Sequence, residues 1–104
     1  MMARAACLAG FVAFSASKVL AAPVPPFDTA TYCAEVAEAV GGSYSIEAAC
    51  LDRESKARQM IESREIEPRI LSYCAQVSEA VGGSFSIMST CIDREERAKA
   101  KIQN

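Results

Sequence analysis

A stretch of 32 residues occurs twice in this chain. Tyr32 to Ser63, YCAEVAEAVGGSYSIEAACLDRESKARQMIES, returns as Tyr73 to Asn104, YCAQVSEAVGGSFSIMSTCIDREERAKAKIQN, at a constant offset of 41 residues with no insertion. The copies share 18 of 32 positions, among them two cysteines, a Gly-Gly-Ser turn and an Asp-Arg-Glu triplet. A tandem copy of this size identifies the folding unit, because both copies must be able to adopt the same local structure.

Within the unit, apolar residues recur at helical spacing. Asp28 offers an N-cap, and Tyr32, Cys33, Val36 and Val40 then fall on one helix face. Gly41-Gly42 ends that helix, since glycine accepts the left-handed conformation that closes one. Ser43-Tyr44-Ser45 reads as a connector, with Ser45 as N-cap of a second helix whose apolar line is Ile46, Ala49, Cys50, Ala57 and Ile61. Asp52, Arg53, Glu54, Lys56 and Arg58 lie between these as a solvated face with opposite charges in reach of one another. Pro68 suits the first turn of a third helix and marks the seam between copies. The pattern then repeats as Ile70, Tyr73, Cys74, Val77 and Val81, Gly82-Gly83, and Ile87, Cys91, Ala98 and Ile102. No stretch alternates with the two-residue period of a strand.

The cysteines make the geometry more specific. In an antiparallel hairpin, residues equidistant from the turn face one another. Cys33 and Cys50 are centred between Gly41 and Gly42, and Cys74 and Cys91 between Gly82 and Gly83. Each also lies on the apolar line of its helix. The expected disulfides are therefore Cys33–Cys50 and Cys74–Cys91, a pairing that makes each copy self-contained. The predicted fold is all-α: two tandem disulfide-stapled helical hairpins over residues 28–66 and 67–104. They are free to pack as one small four-helix bundle, or to complete their apolar faces in a homodimer, since so short a chain builds only a marginal core.

Ahead of the hairpins, Met1 to Ala21 reads as a secretory signal peptide, with Arg4 before an apolar run from Ala5 to Phe14 and Val19-Leu20-Ala21 at the cleavage point. The run is too short to span a bilayer, so no membrane span is expected after processing. Cys7 leaves with the leader, and residues 22–27, APVPPF, form a proline-rich arm that cannot be helical. Export places the four remaining cysteines in an oxidising compartment, the bacterial periplasm or beyond, where an even count is a disulfide framework. Without Arg4 and Lys18, the mature chain keeps nine basic against thirteen acidic residues, which leaves no basic footprint for nucleic acid.

Catalytic chemistry lacks its parts. There is no histidine, no Cys-x-x-Cys and no thiol without a partner, and Ser43, Ser45, Ser84 and Ser86 have no base to activate them. No enzyme, cofactor or metal site is expected. The sixteen-residue gaps between cysteines do not suit zinc or iron–sulfur ligation. The Gly41–Ile46 and Gly82–Ile87 turns, GGS[YF]SI, lack the lysine and preceding strand of a phosphate loop. What remains is surface. The candidate partner contacts are Tyr44 and Phe85 at the turns, with Asp52, Arg53 and Glu54 and their copies Asp93, Arg94 and Glu95. Glu54 and Glu95 are edge carboxylates for Arg58 and Lys99, or contacts at a seam or partner.

The pattern of YCAEVAEAVGGSYSIEAACLDRESKA and its copy resembles that of short exported bacterial proteins carrying Cys, a Gly-Gly-Ser-Tyr turn, a second Cys and a Glu-x-x-Ala tail. That resemblance covers both copies and implies helical hairpins, with no activity attached. The function expected is a non-enzymatic protein-interaction module of the bacterial envelope, its partner an envelope protein. The alternative is a periplasmic small-ligand or metal-ion carrier using Met60, Met88 or the thiols, although the two methionines are not equivalent positions in the copies.

Overall fold

The computed structural model describes residues 24–104, all-helical apart from their connections, with no strand among them. The signal peptide, its cleavage after Ala21 and Cys7 lie outside the described residues. Four helices follow one another: α1 (Thr29–Ala39), α2 (Tyr44–Glu62), α3 (Pro68–Glu79) and α4 (Phe85–Gln103).

Local chemistry sets the ends of these helices. Asp28 caps α1 by accepting from the Thr31 amide at 3.1 Å and the Thr31 hydroxyl at 2.7 Å. At its C-terminus, Gly42 donates back to the Ala37 carbonyl at 2.8 Å, and Gly83 does the same to Ser78 at 2.9 Å at the end of α3. Both glycines of each pair hold a positive φ, which closes the helix and turns the chain within a few residues. The N-cap of α2 is Ser43 rather than Ser45, and that of α4 is Ser84. Tyr44 and Phe85 consequently belong to the first turns of their helices, not to connectors. Pro68 occupies the start of α3, where its missing N–H costs nothing.

Cys33 is joined to Cys50, and Cys74 to Cys91, each with a Cα–Cα distance of 5.6 Å. All four are buried. Each bond staples the two antiparallel helices of its hairpin.

The hairpins are united mainly through their long second helices, α2 against α4. The main core sits at this junction. Ala57 and Ile61 of α2 meet Ile66, Ile70, Leu71, Cys74, Phe85, Met88, Cys91 and Ile92 there. Burying a side chain such as Phe85 or Ile61 stabilises by about 1.5–3 kcal/mol, so this cluster outweighs hairpin one's own interior of Cys33, Ala37 and Cys50. The proline-rich arm is not a free tether. Val24 and Phe27 pack on the core, and the Phe27 ring lies 4.9 Å from that of Phe85 at 48°. At the far edge, Arg64 bridges Asp93 at 3.1 Å and Glu96 at 2.5 Å, holding the exit of α2 to α4.

Candidate functional site

The most constrained polar group in the molecule is Glu54, only 1% exposed although it is a carboxylate. A charge this deep is tolerated only where its lone pairs are filled. Glu54 reaches across from α2 to the first turn of α4. It accepts from the Phe85 amide at 2.5 Å, the Ser84 hydroxyl at 2.6 Å and the Ser86 hydroxyl at 2.7 Å, with the Ser86 amide at 3.4 Å. The first turn of any helix leaves amides without intrahelical partners and carries the positive end of the helix dipole, so a carboxylate there is stabilised on both counts.

Neighbouring residues hold the turn in place for that carboxylate. Ser78, buried on α3, donates to the Ser84 carbonyl at 2.5 Å and accepts from the Ser84 amide at 2.8 Å. Ser84 also accepts from the Ile87 amide at 3.2 Å, so one hydroxyl caps the helix and binds Glu54 together. Beside these polar contacts, Phe85 is 1% exposed and has the Arg58 guanidinium 5.5 Å from its ring centre. The Tyr32 ring covers Gly82, and Phe27 covers Gly83 so closely that a Cβ on Gly83 would stand 3.0 Å from the ring. The whole junction thus consists of a seat on hairpin one (Tyr32, Glu54, Ala57, Arg58, Ile61) and a turn on hairpin two (Gly82 to Ser86).

The candidate contacts separate accordingly. Glu54 and Phe85 are brought together and buried inside the chain, so neither is presented to a partner. Glu54 is a seam carboxylate, but it forms no ion pair among the described residues: Arg58 pairs instead with Glu62 at 3.0 Å and Lys99 with Glu67 at 3.1 Å. Asp52 is exposed and pairs with Lys56 at 3.0 Å, and Asp93 pairs with Arg64. Arg53 and Arg94 line one shallow hollow with Ser86 and Thr90. Tyr44 stands 88% exposed on the first turn of α2. Glu95 lines a groove of about 460 Å³ between α3 and α4, with Ile70, Tyr73, Ala98, Lys99 and Ile102.

As for soft-metal ligands, Met88 is fully buried in the core while Met60 is half exposed, so the two do not converge. The sequence alone does not mark Ser78 or Phe27 as junction residues. The available signal for Ser78 was its place on an apolar line where the first copy has Ala37. No family model, curated protein or solved structure matches the chain.

Proposed function

We propose that this chain is a non-enzymatic protein-interaction module that works outside the bacterial cytoplasm, after removal of a signal peptide ending near Ala21. Two buried disulfides joining helix pairs fit an oxidising compartment, and no described helix is long and apolar enough to cross a membrane. The observation that carries the reading is the contrast between Tyr44 and Phe85. They occupy the same position of the same turn, yet Phe85 is buried and Tyr44 is 88% exposed. A large aromatic side chain held in the open on a capped helix, with Ile46 and Val40 exposed nearby, is a surface prepared for protein contact. At the other end, Ile102 is 84% exposed beside the Glu95 groove.

Site-specific photocrosslinking in the native compartment tests this. A crosslinking residue at position 44 or 102 is expected to capture polypeptide, whereas one at Glu38, on the outer face of α1, is not. Capture that is equal at all three positions, or absent at 44 and 102, would overturn the reading. Sequencing the recovered protein should give Ala22 as its N-terminus.

A further inference from the structure

Resting on the interaction-module reading, we infer that the partner at both ends is a second copy of this chain, joined head to tail by the contact that already joins its two hairpins. The junction inside the molecule has a seat on hairpin one and a turn on hairpin two. Displacing each by the 41-residue offset yields the opposite parts: a turn on hairpin one and a seat on hairpin two. Both are present, and among the described residues neither has its counterpart seated on it.

The seat on hairpin two is the groove between α3 and α4. Its residues Tyr73, Glu95, Ala98, Lys99 and Ile102 stand where hairpin one has Tyr32, Glu54, Ala57, Arg58 and Ile61, the residues on which Phe85 and its turn rest. Four of the five are the same residue type in both copies, and the fifth exchanges arginine for lysine. The turn on hairpin one is Gly41 to Ser45, and it is already shaped as a receptor. Ser43 accepts from the Ile46 amide at 3.2 Å and lies 3.1 Å from the Ser45 hydroxyl, while Ser84 and Ser86 hold the same positions at 3.2 and 3.0 Å around Glu54. Among the described residues nothing lies within 4 Å of a Cβ built on Gly41 or Gly42, where Gly82 and Gly83 are covered by Tyr32 and Phe27. Thus Glu95 of one copy meets the Ser43 and Ser45 hydroxyls and the Tyr44 amide of the next. Tyr44 enters the groove against Ile102 and Lys99, and Tyr73 covers Gly41.

The two parts differ in charge from their internal counterparts: where hairpin two buries Met88, hairpin one has Glu47, and the groove offers Arg69 where hairpin one has Asp28. The joint between copies lacks several supports of the internal one: Pro68 replaces Phe27, Ala37 replaces Ser78, Thr29 and Ala30 replace the buried Ile70 and Leu71, and Ser55 replaces Glu96 of the Arg64 bridge. It also lacks the covalent tether, so association is weak and rises with concentration. A contact between two different surfaces closes into a ring only if its rotation brings it back without displacement. Here α2 and α4 run the same way, with Glu54 beside Phe85 and Arg64 beside Asp93, so each hairpin is displaced along the helix axis from the one before and the copies continue into an open chain.

Sedimentation velocity on the oxidised protein across a wide concentration range tests this. The wild-type mass is expected to rise past that of a dimer. Tyr44→Asp and Glu95→Lys alter exposed or half-exposed side chains, so both should keep the wild-type melting curve. Each should weaken self-association at least about tenfold, because each removes charge-assisted hydrogen bonds or an apolar anchor. A one-to-one mixture of the two has one intact seat and one intact turn, and should form a dimer that grows no further. The inference fails if the wild-type protein stays monomeric or stops at two copies, or if the mixture does not pair. A monomer that still crosslinks another envelope protein through position 44 would sink self-assembly and leave the interaction-module reading standing.

Discussion

The carboxylate of Glu54 and the backbone amide of Phe85 meet at 2.5 Å across the junction of the two hairpins, and the side chains of both are withdrawn from solvent. One residue of the first hairpin therefore completes a helix of the second. The copies of these two residues, Glu95 and Tyr44, do not meet within the chain.

That asymmetry makes a direct prediction. Glu54→Ala leaves the Ser84 hydroxyl, the Phe85 amide and the Ser86 hydroxyl without their acceptor in a buried place, and should destabilise by about 3 kcal/mol or more. Glu95→Ala, the same change at the equivalent position, should alter the stability of the monomer by no more than about 0.5 kcal/mol. Urea denaturation of both variants at a dilution that keeps the protein monomeric checks the difference, and equal losses would contradict the assignment of the seam.

The disulfides should be unequally important. Cys74–Cys91 lies within the main core, whereas Cys33–Cys50 is most of what hairpin one buries for itself. Replacing Cys33 and Cys50 by serine should cost about 3 kcal/mol on the chain-entropy account. In hydrogen exchange, α1 should lose protection while α3 and α4 keep theirs. Replacing Cys74 and Cys91 should instead lower protection across the whole molecule.

Gly83 and Gly42 share a positive φ but not their surroundings. Alanine at Gly42 meets no neighbour within 4 Å among the described residues and only the backbone strain, about 1 kcal/mol. At Gly83 it also meets the Phe27 ring at 3.0 Å, and the total should be about 2 kcal/mol or more. In a Phe27→Ala background the excess should vanish, and a double-mutant cycle measures it.

Asp28 supplies the pH dependence that the structure predicts. Its bonds from the Thr31 hydroxyl and then the Thr31 and Ala30 amides hold its carboxyl below the usual aspartate range. Because the folded value is depressed, its contribution is complete above the pKa of the unfolded chain and is lost as pH falls through the lower folded value. An NMR titration should show this, and Thr31→Val should move Asp28 back toward its ordinary value. A wild-type Asp28 that titrates normally would contradict the cap.

The helices, hairpins and disulfide pairing were legible because they depend on local spacing: apolar residues at helical intervals, glycine pairs, and cysteines equidistant from each pair. The fate of the turns was not. Tyr44 and Phe85 sit in nearly identical local sequence, and only the order in which the hairpins stack leaves one outside and buries the other. The same holds for Glu54 and Glu95, both of which read as edge carboxylates on a charged face. Ser43 and Ser45 are both acceptable caps, and the choice between them depends on where the backbone leaves the glycine turn. Phe27 was concealed by its prolines, whose composition describes a spacer. Its ring finds hairpin two only through contact between residues far apart in sequence.

A lone hairpin bearing the seat and the turn together would already hold both halves of its own joint. Joining two such hairpins end to end makes one of those joints independent of concentration, since tethered partners meet at an effective concentration far above that of dilute molecules. The Glu54 seam is such a tethered joint: the connection from α2 to α3 keeps its two halves together, whereas Glu95 and Tyr44 are not joined to each other within the chain.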